Sequence, residues 1–196
     1  MKLLKEVAKS LGARKVVDAF DRYRSAIKGY NRRLQDSRRW REKIGEIKNR
    51  TGSAKLHLGC GNNRIPNMVN CEYRNTPAAD LVMDCSDLSR FGDSSIDHIF
   101  SHAFFEHLYF DQRQPLLAAC RRVLKRNCTL LFIGLPDLKI IAESYLKKAE
   151  LAPGWGFDAY MVYRYTHGSP EIADGWWLEQ LHKTLFDRDV VRSLLE

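Results

Sequence analysis

Lys55-Leu56-His57-Leu58-Gly59-Cys60-Gly61-Asn62 is a short apolar run broken by Gly-x-Gly, and an acid, Glu72, stands eleven residues after Gly61. A strand, a tight glycine turn and a second strand tipped by a carboxylate suit a ligand that contains a nucleoside. The glycines let backbone N–H groups approach such a ligand with no Cβ in the way. A carboxylate has acceptor capacity for both hydroxyls of a ribose. The blander reading of Glu72 is a solvated acid at a strand end. Two commoner phosphate sites are excluded by spacing. Arg64 occupies the third glycine position of G-x-G-x-x-G, and no lysine follows at P-loop distance.

His102, Glu106 and His107 form a second group of chemical interest. They follow an apolar segment, and a histidine with an ordinary pKa of about 6.5 suits proton removal at neutral pH. Packing and capping are the competing roles for Glu106 and His107. A shared metal ion is not expected. On a helix each residue turns about 100°, so two histidines five apart lie about 140° from one another. The five cysteines (60, 71, 85, 120 and 128) contain no Cys-x-x-Cys pair. That argues against a zinc ribbon or a redox dithiol. Reduced, buried cysteines and the lack of a signal-like apolar run fit a cytoplasmic protein.

The elements that must hold these groups are short. Met68–Glu72, Ala79–Asp84 and Ile96–Ser101 read as strands, with a turn-rich linker at Phe91–Ser95. Apolar residues at 116, 117, 120, 123 and 124 have helical spacing within Pro115–Lys125. Thr129–Gly134 is almost wholly apolar, as a buried parallel strand should be. Strands alternating with helical segments predict an α/β, Rossmann-like, doubly wound and mostly parallel sheet with helices on both faces. Gly59, Glu72, Asp84 and Ser101 then fall at strand C-terminal ends, where ligands of such sheets bind.

On these residues the chain resembles the class I S-adenosylmethionine-dependent methyltransferases, and more narrowly the bacterial type 11 group. Leu56-His57-Leu58-Gly59-Cys60-Gly61 is similar to the glycine motif, Val69-Asn70-Cys71-Glu72 to the ribose-acid strand and Val82-Met83-Asp84 to the adenine-side acid. The run from Ser94 to Leu108, ending in Glu106-His107-Leu108, resembles another family segment. Arg122-Val123-Leu124-Lys125, Leu135-Pro136-Asp137 and His182–Asp187 also match. Together these pieces cover about residues 54–196.

The resemblance implies S-adenosylmethionine as cofactor and S-adenosylhomocysteine as product. It implies that Gly59, Cys60 and Gly61 meet the methionine end, that Glu72 holds the ribose and that Tyr73 packs on the adenine. Asp84 and Cys85 would lie near the adenine amine, and Ser101 and His102 would face the methionine or the acceptor. A turn or cap is the competing reading of Asp84. Methyl transfer asks mainly for in-line alignment, which supplies roughly 7–11 kcal/mol, so a fixed catalytic residue is not required. His102, Glu106 and His107 are the general-base candidates.

Leu151–Gln180 is punctuated by Gly and Pro and crowded with aromatics. It is expected either to build the acceptor pocket, with His167, Trp176, Trp177 and His182 as candidate contacts, or to form an apolar collar on the core. The family normally continues past a helix like Arg188–Glu196 into a final β-hairpin. The sequence stops at Glu196, so either it is a truncated piece or it lacks that hairpin and the fifth strand is left as an edge, a pairing hazard that the basic arm or a second subunit could cover. Lys125-Arg126-Asn127-Cys128 replaces the family's Pro-Gly-Gly and should alter only a loop.

Charge divides the chain. Residues 1–50 hold 16 Lys/Arg against 6 Asp/Glu, a net +10, while the rest is net −2. Two domains are expected, a basic helical arm at 1–52 and a cofactor-binding domain at 53–196. The arm has three readings: a cap on the sheet with solvated charges, a contact for nucleic acid or an anionic membrane surface, or a homo-oligomerisation helix. The resemblance adds a small-molecule or glycan-type acceptor and a place at the inner membrane face. The expected function is methyl transfer to such an acceptor. The alternative is a weak or inactive member of the fold that binds nucleic acid or a protein partner through the arm.

Overall fold

The computed structural model describes residues 40–169 and 180–196. The expectations for the basic arm, at residues 1–39, and for Trp176 and Trp177 lie outside the described residues. The chain divides into two units, Met1–Lys43 and Ile44–Glu196, and the site belongs to the second. Residues 40–51 are helical (α1). No helix among the described residues is long and apolar enough to cross a membrane.

The second unit is built on a five-stranded parallel sheet in the order β3-β2-β1-β4-β5. The strands are β1 Lys55–Leu58, β2 Val69–Glu72, β3 Leu81–Val82, β4 Ile96–His102 and β5 Leu124–Ile133. Leu56, Leu58, Val69, Ile96 and Ile99 are fully buried, as apolar runs covered on both faces should be. The chain runs from β1 to one side through β2 and β3, then crosses to β4 on the other. Leu58 pairs with Cys71 of β2 and with Ser101 of β4. A ligand cleft is expected beyond the strand ends at that reversal.

Helix α2 spans Phe110–Val123 and links β4 to β5. It starts five residues before Pro115, where the apolar spacing placed it. The first turn is held by Gln112, whose Oε1 accepts the Tyr109 N–H at 2.9 Å. Leu116, Cys120 and Val123 form its buried stripe. Among the described residues the connections β1–β2, β2–β3 and β3–β4 contain no helix. The flanking helices therefore come from the later chain.

β5 differs from the buried strand expected at Thr129–Gly134. It begins at Leu124, directly after α2, and Leu131 and Ile133 are more than 40% exposed. Among the described residues its ladder partner is β4 alone, and the alternation along the strand leaves the face that carries Thr129, Leu131 and Ile133 exposed. Its register on β4 breaks between Ile96 and His98, and Asn127 sits there at φ 61°. The Lys125–Cys128 segment is thus a bulge inside a strand and not a turn before one.

The chain after β5, as far as it is described, folds into regular elements despite its punctuation by Gly and Pro. α3 (Leu138–Leu146), the antiparallel pair β6 (Glu150–Ala152) and β7 (Trp155–Gly156), and α4 (Ala159–His167) follow β5. Ile141, Phe157 and Met161 form their own small core. α5 (Arg188–Leu195) closes the described chain. Asp137, Asp158 and Asp187 cap α3, α4 and α5, each accepting the N–H three residues on.

Candidate active site

A cleft of about 450 Å³ opens at the C-terminal ends of β1, β2 and β4, a size ordinary for small-molecule sites. One wall comes from the glycine turn. Gly59 has φ 66°, and a Cβ there would lie 2.7–2.8 Å from the Phe104 side chain. Glycine is required twice over, for the left-handed backbone and for the close approach. Gly61 has φ 53° with open space where a Cβ would stand.

Glu72, at the tip of β2, faces that turn. Its Oε2 accepts the Gly61 N–H at 2.8 Å, and its Oε1 accepts the Arg74 N–H at 3.1 Å and Arg74 Nε at 3.4 Å. The carboxylate is 8% exposed and lines the cleft. With these three bonds made, one lone pair remains on Oε2 for an incoming donor. Thr76 Oγ1 donates to the Gly61 carbonyl at 2.6 Å and ties the far side of the turn.

Below the turn lies a polar knot that the sequence did not announce. Asn70 is fully buried; its Oδ1 accepts the Ile65 N–H and faces His57 Nδ1 at 3.0 Å. Its Nδ2 reaches the carbonyls of Ile65 and Met68 and Asp80 Oδ2, at 3.0–3.1 Å. Asp80 also accepts the Asn70 N–H and pairs with Arg64 at 2.7 Å. Burial alone would raise the Asp80 pKa, but the Asn70 bonds and the Arg64 guanidinium hold it below the ordinary value. This knot replaces a helix as the support of the glycine turn.

The expected cofactor residues divide by placement. Gly59, Gly61, Glu72, Tyr73, Asp84 and Cys85 line the cleft. Tyr73 presents an exposed ring. Asp84 accepts from the Ser86 N–H and hydroxyl at 2.9 and 2.6 Å, so it also serves as the turn residue of its competing reading. Cys60 is buried beside the cleft, its N–H on the Cys71 carbonyl, and burial pushes its thiol up to about 11. Ser101 is turned into the sheet, where its hydroxyl donates to the Leu58 carbonyl at 2.9 Å. His102 packs near Gly134 and is not among the lining residues.

The opposite wall leaves β4 through Ala103, at φ 52°, and the 3₁₀ turn Phe105–His107. Phe105 packs on Phe132 and Phe186 with ring centroids 5.2 and 5.8 Å apart. Glu106 is 1% exposed and its Oε2 has no hydrogen-bond partner. Burial pushes its carboxyl up to about 7. His107 lines the cleft, and its Nδ1 meets the Leu181 carbonyl at 3.1 Å. Burial lowers its pKa to about 4, the Leu181 carbonyl opposing. It is neutral at pH 7.

Segment 181–187 seals this wall. The His182 N–H donates to the His167 carbonyl, the Lys183 N–H to the Glu106 carbonyl at 2.8 Å, and Phe186 bridges Asp137. Buried Arg113 donates to the Leu108 and Lys183 carbonyls. Of the expected acceptor residues, His167 stacks on Tyr163 at 4.7 Å and bonds Thr166, away from the cleft. His182 lies behind the cleft wall, with Nδ1 on the Tyr165 carbonyl at 2.8 Å and its ring 5.0 Å from His107. The cleft mouth instead carries Tyr109, Gln112, Gln180 and Lys183. The sequence reading missed these four. The capping role of Gln112 and the neighbouring late motif at His182–Asp187 were the available signals.

Residues 59–132 match the family model described as a methyltransferase domain. With the parallel sheet and the glycine turn, the match is consistent with a class I methyltransferase of the type 11 group. No curated protein matches the chain.

Proposed function

We propose that the protein is an S-adenosylmethionine-dependent methyltransferase acting on a small-molecule or glycan-type acceptor. The observation that carries this is Glu72. Its carboxylate is fixed by two backbone amides across a glycine turn and faces a cleft of about 450 Å³. Acceptor capacity left on such a fixed carboxylate suits a ribose diol. Open space over Gly61 suits the rest of a nucleoside cofactor.

S-adenosylmethionine, when bound, supplies an activated sulfonium methyl group. The chain has to align the acceptor, exclude water and take up a proton where the acceptor loses one. Glu72, Gly59 and Gly61 would hold the cofactor side, with Tyr73 and Asp84 toward the base. Tyr109, Gln112 and Lys183 stand at the mouth on the acceptor side, with Lys183 Nζ 5.0 Å over the Tyr109 ring. Flat aromatic faces and amide donors suit sugar rings. Among the base candidates, His107 alone lines the cleft. The Leu181 carbonyl can only accept, so Nδ1 carries the proton and Nε2 is the basic nitrogen.

Calorimetric titration of S-adenosylhomocysteine into the wild type and Glu72→Ala tests the reading. Micromolar binding that weakens by about 1–3 kcal/mol in the variant, the size of a charge-assisted hydrogen bond, supports it. A folded wild-type chain that binds no S-adenosylhomocysteine overturns it.

A further inference from the structure

Glu106, His107 and His182 each offer a ligand atom, and these atoms lie within 4.8 Å of one another. The first two come from the turn after β4. The third arrives from 75 residues later, on the segment that seals the cleft wall. His102, the histidine nearest in sequence, takes no part.

Each histidine is oriented as a ligand would be. His107 Nδ1 faces the Leu181 carbonyl and His182 Nδ1 faces the Tyr165 carbonyl. A carbonyl oxygen can only accept, so the Leu181 and Tyr165 bonds favour the tautomer with the proton on Nδ1 and the lone pair on Nε2, and the Ala103 carbonyl also acts on the His107 ring. An Nδ1–H bound to a backbone carbonyl is the usual outer support of a metal-bound imidazole. His107 Nε2 lies 4.0 Å from Glu106 Oε1. A tetrahedral first-row ion with bonds of about 2.0–2.2 Å spans ligand pairs of about 3.3–3.6 Å. Side-chain shifts below an ångström would close the site.

Glu106 is the independent observation. Its side chain is 99% buried, its Oε2 has no partner, and no lysine or arginine pairs with it among the described residues. A buried carboxyl facing lone pairs is held either by its own proton or by a cation between them. Lys183 acts electrostatically on both rings, but its Nζ is held over Tyr109 and on the Leu181 carbonyl.

We propose that Glu106, His107 and His182 form a binding site for one divalent transition-metal ion, with zinc the best match to two imidazoles and a carboxylate. The expectation from sequence was no metal, because His102 and His107 cannot share an ion. The partner that completes the set is invisible to local spacing. The ion would clamp segment 181–187 to the turn after β4. Because His107 also lines the cleft, the clamp would set the position of the acceptor-side wall, and by taking up the Nε2 lone pair it would leave His107 a base only in the metal-free chain.

The test uses the full chain, stripped with EDTA and titrated with zinc chloride by calorimetry, then with cobalt(II) for its absorption spectrum. The expected result is one ion per chain, with at least ten-fold weaker binding in His182→Gln and in Glu106→Gln. His98→Gln, on β4 outside the cluster, should bind as the wild type does. The cobalt spectrum should show nitrogen and oxygen ligands in a tetrahedral field and no thiolate band. Absence of saturable uptake overturns the proposal, since a proton alone then occupies the cluster. So does uptake unchanged in His182→Gln, or a thiolate band from a cysteine. If the variants fail to fold, the wild-type cobalt spectrum decides. S-adenosylhomocysteine binding is a separate readout at Glu72, so failure there does not count against the metal site.

Discussion

Glu72 reaches back across eleven residues to hold the Gly61 amide at 2.8 Å, while Thr76 holds the Gly61 carbonyl at 2.6 Å. One peptide group of the turn is therefore fixed on one side and the next on the other. Thr76→Val should leave the fold intact and weaken S-adenosylhomocysteine binding by about 1 kcal/mol, the typical net value of one hydrogen bond. Calorimetry on a variant with unchanged unfolding midpoint checks this. Unchanged affinity would mean that the turn is held without Thr76.

Gly59 packs its bare Cα against Phe104 at φ 66°. Gly59→Ala adds left-handed strain of about 1–2 kcal/mol and overpacking of about 1–3 kcal/mol. Urea unfolding should show a total loss of about 2–5 kcal/mol. Phe104→Ala in the same chain should recover the overpacking part but not the strain. A strictly additive double variant would count against the contact.

Asn70 makes all its bonds inside the core, to Ile65, Met68, His57 and Asp80. Asn70→Ala strands several of them and should cost about 2–4 kcal/mol of stability. Denaturant titration measures the loss. A change below about 0.5 kcal/mol would show that water replaces the side chain.

Asp80 gives a pH dependence. Its folded pKa lies below the ordinary value of 3.8, so the charged form is favoured in the folded state. Its contribution is complete above about pH 5 and fades as pH falls through the folded pKa, below 3.8. Wild type should exceed Asp80→Asn in stability at pH 7, and the gap should shrink below about pH 4. Unfolding midpoints of both chains across that range would show it; a gap that stays constant down to pH 2.5 would refute the assignment.

Ser101 tests the boundary between sheet and site. Its hydroxyl donates to the Leu58 carbonyl and is 1% exposed. Ser101→Ala should cost about 1–3 kcal/mol of stability and leave S-adenosylhomocysteine affinity within about two-fold. A larger fall in affinity with stability preserved would place the hydroxyl at the ligand.

The parts legible in the sequence were those written in local pattern. β1, β2 and β4 fall within a residue or two of their apolar runs, and the glycine turn and Glu72 could be paired by spacing alone. α2 was missed by one turn because its N-cap is Tyr109, a residue with no capping reputation, and Gln112 supplies the bond. β5 looked buried because apolar content does not report position in a sheet. Its Leu131 and Ile133 are exposed because they share a face of β5 that the described elements leave open. The wall after β4 was least legible. Lys183 meets Glu106 and His182 meets His107 only after the chain has folded back across more than 70 residues, and no periodicity encodes that return.

That return also sets an order of assembly. The cofactor-side wall, from Gly59 to Cys85, lies within 27 consecutive residues. The other wall waits for residues 181–187, the first of which stands 96 residues after Cys85. Long-range closures form late because loop entropy must be overcome first. A nascent chain would therefore hold a half-built cleft, its Glu72 wall in place before the wall after β4 closes opposite it.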